Sequence, residues 1–210
     1  MSRGASRAWF AQTVSVPPAL ETEYTKFSDT FTRGDSTELG ADWTPGYTAS
    51  NNLQIVGNEV RATVLNNDSI ETNPTTLTDA QWAQAKIVTL TGAQIAAPRV
   101  FIRASAPATV AGYECTALIN AGGLNSRIGK HSGGFSTLVS SSTTTVAAGD
   151  TIKCYAVGTR LTMKQQVAST GTFNTILSVV DTTLTSGLAG LVDYVATGGD
   201  LANSELDDFV

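Results

Sequence analysis

The sequence predicts an all-β fold, an antiparallel sandwich or barrel of short strands, and three observations carry that expectation. Only 15% of the 210 residues are charged while 41% are hydrophobic, which is too apolar for a disordered chain. Thr occurs 31 times and Lys 5 times. β-branched residues suit a pleated, half-buried surface, and charged helix formers are few. Short runs of alternating apolar and polar residues recur between Gly, Asn and Asp clusters, which favours a sandwich over a parallel α/β fold. A chain this long buries roughly 70% of its unfolded surface, enough for a full core.

Residues 1–26 read as an N-terminal arm, distinct from a single domain over 27–210. The first twenty residues hold Arg3 and Arg7 and no acidic residue, the aromatic pair Trp9 and Phe10, and Pro17-Pro18. A Pro pair favours extended chain. Arg3, Arg7, Trp9 and Phe10 are therefore the candidate docking residues of the arm, against a disordered tail as the plain alternative. Ala8–Ser15 is too short and polar for the apolar stretch of a secretory signal, so the expectation is a protein kept in a cytoplasm until assembly or lysis. No run approaches ~18 apolar residues, so no membrane span is expected.

From Lys26 onward, strand and turn alternate. Leu53–Val56, Gly57-Asn58 and Glu59–Leu65 form a hairpin, with the Gly-Asn pair supplying the positive φ values of a tight turn. Thr151–Val157, Gly158-Thr159 and Arg160–Lys164 form a second, with Gly first as a type II′ turn requires. Alternation puts Ile152, Cys154 and Ala156 on one face and Lys153, Tyr155 and Val157 on the other. Further strands are expected over Ala83–Leu90, Arg99–Ser105, Tyr113–Asn120, Asn125–Lys130, Phe173–Val180, Gly187–Tyr194 and Glu205–Val210. Leu77–Gln84 carries a helical-turn signal, with Thr78 as cap and Gln81 three residues on. Ser140–Thr145 fits either a loop or an edge strand. Cys115 and Cys154 make no disulfide framework. They are expected as buried free thiols in strands, with a single bridge between strands as the alternative.

Candidate chemistry is sparse. Net charge is −5, with no basic footprint for nucleic acid. The first twenty residues contribute +2, leaving −7 for the rest. His131 is the only histidine. Beside Lys130, Ser132, Gly133 and Gly134 it is expected on an exposed loop, outside any multi-histidine metal site. Glu59, Glu71 and Glu114 stand isolated. Asn66-Asn67-Asp68-Ser69 is the best local calcium candidate, but with one carboxylate it reads as a polar turn. Trp82 and Tyr113 are conceivable sugar platforms, and packing in or beside the core is the plainer role. No cofactor is expected.

Phe27-Ser28-Asp29-Thr30-Phe31-Thr32-Arg33-Gly34-Asp35, Leu39-Gly40-Ala41-Asp42-Trp43-Thr44, Gly149-Asp150-Thr151-Ile152, Val157–Leu161, Gly187–Leu191 and Leu206-Asp207-Asp208-Phe209 follow one another along residues 27–210. This order resembles the laminin-G-like, concanavalin A-like jelly roll, especially its versions in bacteriophage virion proteins. The resemblance implies a two-sheet antiparallel jelly-roll sandwich whose first and last strands lie close together. Asp29–Phe31 and Asp207–Phe209 would then be matched strands with Phe31 and Phe209 in the core, and Trp43 would close the opening loop from inside. Relatives that cleave β-glucans carry Glu-x-Asp-x-x-Glu on one strand, which sets two carboxylates on the same side. That motif is absent, and no enzyme activity is expected. The resemblance implies a non-enzymatic virion structural protein: a head decoration, fibre or tail-associated component. It would dock to other virion proteins through its arm, form a homo-oligomer and assemble in the host cytoplasm. The alternative is a carbohydrate-binding module for host-surface glycan. Neither reading involves nucleic acid or a membrane.

Overall fold

The computed structural model describes residues 27–46, 52–92, 95–105, 111–120, 123–143 and 145–210. In chain order its strands are β1 (Thr44–Pro45), β2 (Leu53–Val56), β3 (Glu59–Ala62), β4 (Ser69–Leu77), β5 (Gln81–Leu90), β6 (Arg99–Ala104) and β7 (Gly112–Asn120). They continue with β8 (Gly123–His131), β9 (Phe135–Ser141), β10 (Thr151–Val157), β11 (Arg160–Gln166), β12 (Phe173–Val180), β13 (Gly187–Asp193) and β14 (Ser204–Asp207). All pairings are antiparallel, in two seven-stranded sheets. The first runs β1-β4-β13-β6-β7-β8-β9 and the second β12-β11-β10-β5-β14-β3-β2. The chain passes repeatedly from one sheet to the other, so neither sheet is a simple meander.

Period-two alternation decides which side chains meet between the sheets. Val100, Ile102, Cys115, Ala117 and Ile128 face inward from the first sheet. Ala83, Ala85, Ile87, Ile152, Cys154, Ala156, Leu161 and Met163 face inward from the second. The expected faces of β10 are borne out: Ile152, Cys154 and Ala156 are fully buried, while Val157 is exposed. Both hairpins form in the expected register, Val56 opposite Glu59 and Val157 opposite Arg160. Gly57 and Asn58 both take positive φ, and Gly158 takes it at the second turn.

The two ends of the domain meet as expected. Asp29 and Phe209 exchange a pair of backbone hydrogen bonds, each 3.0 Å. Phe31, Trp43 and Phe209 are buried, and Trp43 packs edge-on against Phe209 with ring centroids 5.1 Å apart. Trp43 Nε1 also donates to Asp29 Oδ2 at 2.9 Å, which pins the opening loop to the residue that pairs with Phe209.

Three expectations need correction. Leu77–Gln84 holds no helical turn: Leu77 ends β4 and Gln81 begins β5. The cap-like spacing serves a turn between strands, in which Gln81 Nε2 donates to the Thr78 carbonyl at 2.6 Å. Cys115 and Cys154 are not free thiols. They form a disulfide between β7 and β10, with Cα atoms 5.4 Å apart, tying one sheet to the other through the core. His131 lies on no exposed loop: it ends β8 and is 5% exposed. The Ser140–Thr145 ambiguity divides, since β9 claims Ser140 and Ser141 as an edge strand and Ser142 and Thr143 bend away.

Candidate functional site

Two outward faces carry unusual side chains, and they differ in kind. On the first sheet, Arg99, Glu114, Thr116, Arg127 and His131 point away from the core from neighbouring strands. Glu114 is fully buried at their centre. Arg99 reaches it at 3.2 Å, Arg127 at 3.1 Å, His131 Nε2 at 2.9 Å and the Thr116 hydroxyl at 2.8 Å. Burial alone would raise the Glu114 carboxyl, but the charges of Arg99 and Arg127 and the His131 hydrogen bond outweigh it and hold it at about 2. Arg99 also pairs with Asp68 at 2.8 Å. That contact turns the Asn66–Ser69 segment into an ion-paired polar turn, as its single carboxylate suggested. Glu114, which stands alone in the sequence, is thus the hub of a buried network. Its partners come from other strands, so no sequence spacing announces them.

Glycines shape the same face. Gly112 sits beneath the Phe101 ring and Gly129 beneath the Phe135 ring. His131 stands between the two rings, with centroids 5.6 and 5.2 Å away. Arg127 lies over Phe135 at 4.4 Å from the ring centre. With every carboxylate oxygen of Glu114 engaged by cations or hydroxyls, this cluster reads as structure: a desolvated ion network that must stay complete.

The second sheet carries the other arrangement. On β5, β10, β11 and β12 the outward residues form a grid set by the registers. One row runs Lys86, Thr151, Gln166, Phe173 and the next Gln84, Lys153, Lys164, Thr175. A third runs Trp82, Tyr155, Thr162, Ser178, and Arg160 lies beyond it opposite Val180. Trp82, Tyr155 and Phe173 are half-buried, so their rings show an edge or face to water. Lys153 Nζ lies 3.8 Å from the Trp82 ring centre and 5.0 Å from that of Phe173, and Lys164 Nζ lies 5.1 Å from that of Tyr155. Such contacts contribute ~0.5–2 kcal/mol each and hold rings and ammonium groups in a fixed relation. Between them stand the hydroxyls and amides of Thr151, Thr162, Thr175, Ser178, Gln84 and Gln166. Flat rings beside short hydrogen-bonding side chains can stack on the apolar face of a pyranose and bond its hydroxyls.

The same sheet changes character past β5. Outward residues of β3 and β14 are acidic: Glu59, Glu205 and Asp207. Burial and the neighbouring Glu205 raise the Glu59 carboxyl to about 7. Arg61 offsets part of this charge, 3.6 Å from Glu205.

Of the residues singled out in the sequence, Trp82 belongs to the aromatic grid. Tyr113 does not: it is fully buried, and its hydroxyl donates to Asp181 at 2.6 Å. Arg3, Arg7, Trp9 and Phe10 lie outside the described residues. Among the described residues no three His, Cys, Asp or Glu side chains converge as a metal site would require. Tyr155, Phe173, Lys153 and Lys164 were not singled out from the sequence. The signal existed, because Lys153 and Tyr155 alternate with core residues on one strand, but only register brings Trp82 and Phe173 beside them.

No family model matches the chain, and no curated protein matches it. Solved structures do. The carbohydrate-binding module CBM66 from Bacillus subtilis superposes with a TM-score of 0.59 at 14% identity, covering 80% of this chain and 91% of that one. A Bacillus subtilis protein with a galectin-like fold gives 0.61 at 11% identity, covering 87% and 93%. The basic winged bean lectin with Tn-antigen gives 0.54 at 11% identity, covering 88% and 95%. The fold is a lectin-like jelly roll. At these identities the similarity concerns the jelly roll alone. Nothing in it links the chain to bacteriophage virion proteins.

Proposed function

We propose that this jelly roll is a non-catalytic carbohydrate-binding domain whose binding surface is the outward face of β5, β10, β11 and β12. The observation that carries the reading is the grid in which Trp82, Tyr155 and Phe173 stand among hydroxyl and amide side chains on adjacent strands. The shared fold with a carbohydrate-binding module and a lectin supports it. Rings and hydroxyls set in rows on four adjacent strands suit a chain of sugars lying across the strands. A glycan and polysaccharide array tests this directly. Selective binding that a soluble form of the same sugar competes away is the expected result. The Trp82→Ala protein should then lose about tenfold or more in affinity, the equivalent of ~1.4 kcal/mol of stacking. No binding to any sugar, or full affinity retained by Trp82→Ala, would overturn the proposal.

A further inference from the structure

Charge is distributed over the sandwich in a way its composition conceals. The chain carries −5 overall. Yet β5, β10, β11 and β12, four strands that are neighbours in one sheet, hold Lys86, Lys153, Arg160 and Lys164 and not one Asp or Glu. All four lie on the outward side of the sheet, the face that bears the aromatic grid, where Lys153 is buried among the rings. The carboxylates of the sheet are displaced to β3 and β14, beyond Lys86, which faces Asp207 across the boundary. A solvated face normally mixes both signs. Here one half is wholly basic and the other mostly acidic, and the basic half is where the rings are.

We infer that the ligand is an acidic polysaccharide, one whose sugars carry carboxylate or sulfate groups; this deepens the carbohydrate reading and rests on it. Trp82, Tyr155 and Phe173 take the apolar faces of the sugars. Lys164 and Arg160, two rows apart on β11 with Thr162 between them, meet the anionic groups. Lys153, its ammonium between Trp82 and Phe173, adds positive potential at the centre. The acidic edge on β3 and β14 repels a polyanion, so the chain is confined to the basic four strands. A sugar polymer fits better than nucleic acid because the Thr, Ser and Gln side chains between the cations match ring hydroxyls.

The test is titration of the full chain with four polymers: polygalacturonate, its methyl ester, dextran sulfate and uncharged dextran, with single-stranded DNA as a fifth arm. Expected is binding to polygalacturonate or dextran sulfate, whichever bears the recognised group, at least tenfold tighter than to its uncharged counterpart. That binding should weaken steadily as salt rises. Lys164→Gln and Arg160→Gln should each reduce affinity for the charged polymer about three- to tenfold and flatten the salt dependence, with unchanged far-ultraviolet circular dichroism. Equal, salt-insensitive binding to charged and uncharged polymers would overturn the charge inference and leave the carbohydrate reading intact. Binding to none of the polysaccharides would overturn both. Single-stranded DNA bound as tightly as the acidic polysaccharide would overturn the sugar assignment in favour of nucleic acid.

Discussion

Carboxylates inside the sandwich set how its stability answers pH. Glu71 projects from β4 between the sheets and accepts the Leu53 N–H of β2 at 3.2 Å. Asp193 does the same from β13, accepting the Ala62 N–H of β3 at 2.9 Å and the Ser204 hydroxyl. Burial outweighs these hydrogen bonds and raises Glu71 to about 7 and Asp193 to about 6. A carboxyl with a raised folded-state pKa holds its proton more tightly when folded. The stability it lends is therefore complete below the ordinary carboxylate range and drains away as pH rises through about 7. Glu114 behaves in the opposite sense. Held at about 2, its contribution is present above the ordinary carboxylate range and is lost only in strong acid. Glu71→Gln keeps an acceptor for Leu53 and cannot ionise. It should melt with the parent at about pH 5 and be more stable at about pH 8 by roughly 1–3 kcal/mol. Parallel melting profiles across that range would show that Glu71 is not the titrating group. In the sequence Glu71 and Glu114 look alike, each an isolated acid. Only the inward turn of one and the outward turn of the other, toward two arginines and a histidine, separate them.

At the scale of the element, most strands were legible because alternation and turn chemistry act locally, but β4 (Ser69–Leu77) and most of β9 (Phe135–Ser141), rich in Thr and Ser with little apolar alternation, were not. The Gly57-Asn58 and Gly158-Thr159 hairpins need nothing beyond their own residues to specify register. The helical signal over Leu77–Gln84 failed because capping spacing is shared by turns, and the run Ala83, Ala85, Ile87 demands burial on one side of a strand. What alternation cannot disclose is how two strands fit where side chains lie flat. Gly129 is such a place. A Cβ there would come within 2.5 Å of the Phe135 ring and 3.1 Å of Glu114 Cγ. Gly129→Ala must lift Phe135 and disturb the carboxylate that Arg99, Arg127 and His131 surround. It should cost about 1–3 kcal/mol in chemical denaturation. Gly34, with nothing within 4 Å of its would-be Cβ, provides the control. Gly34→Ala should change stability by less than about 0.5 kcal/mol, and equal effects at the two sites would refute the packing account.

For the whole molecule the decisive link is Cys115–Cys154. It joins β7 of one sheet to β10 of the other across 39 residues of sequence. In both strands the cysteine belongs to the alternating core face, so each is legible as buried. Their pairing is not, because it depends on how the sheets stack. Closing a loop of this length removes unfolded-chain entropy worth ~4 kcal/mol, on the order of a third of the stability of an ordinary domain. The bond also bears on where the protein works. We propose that the folded protein works in an oxidising environment, where a core disulfide persists. The denatured, unreduced protein should resist alkylation at both cysteines and take up two labels after reduction. Reduction should lower the unfolding free energy by ~2–4 kcal/mol, with the sheets retained in far-ultraviolet circular dichroism under mild conditions. Two reactive thiols in the unreduced protein from an oxidising compartment would remove the bond, and with it the case for that compartment. An unchanged denaturation midpoint after reduction would instead leave the bond and remove its energetic role, making the hydrophobic core alone the tie between the sheets.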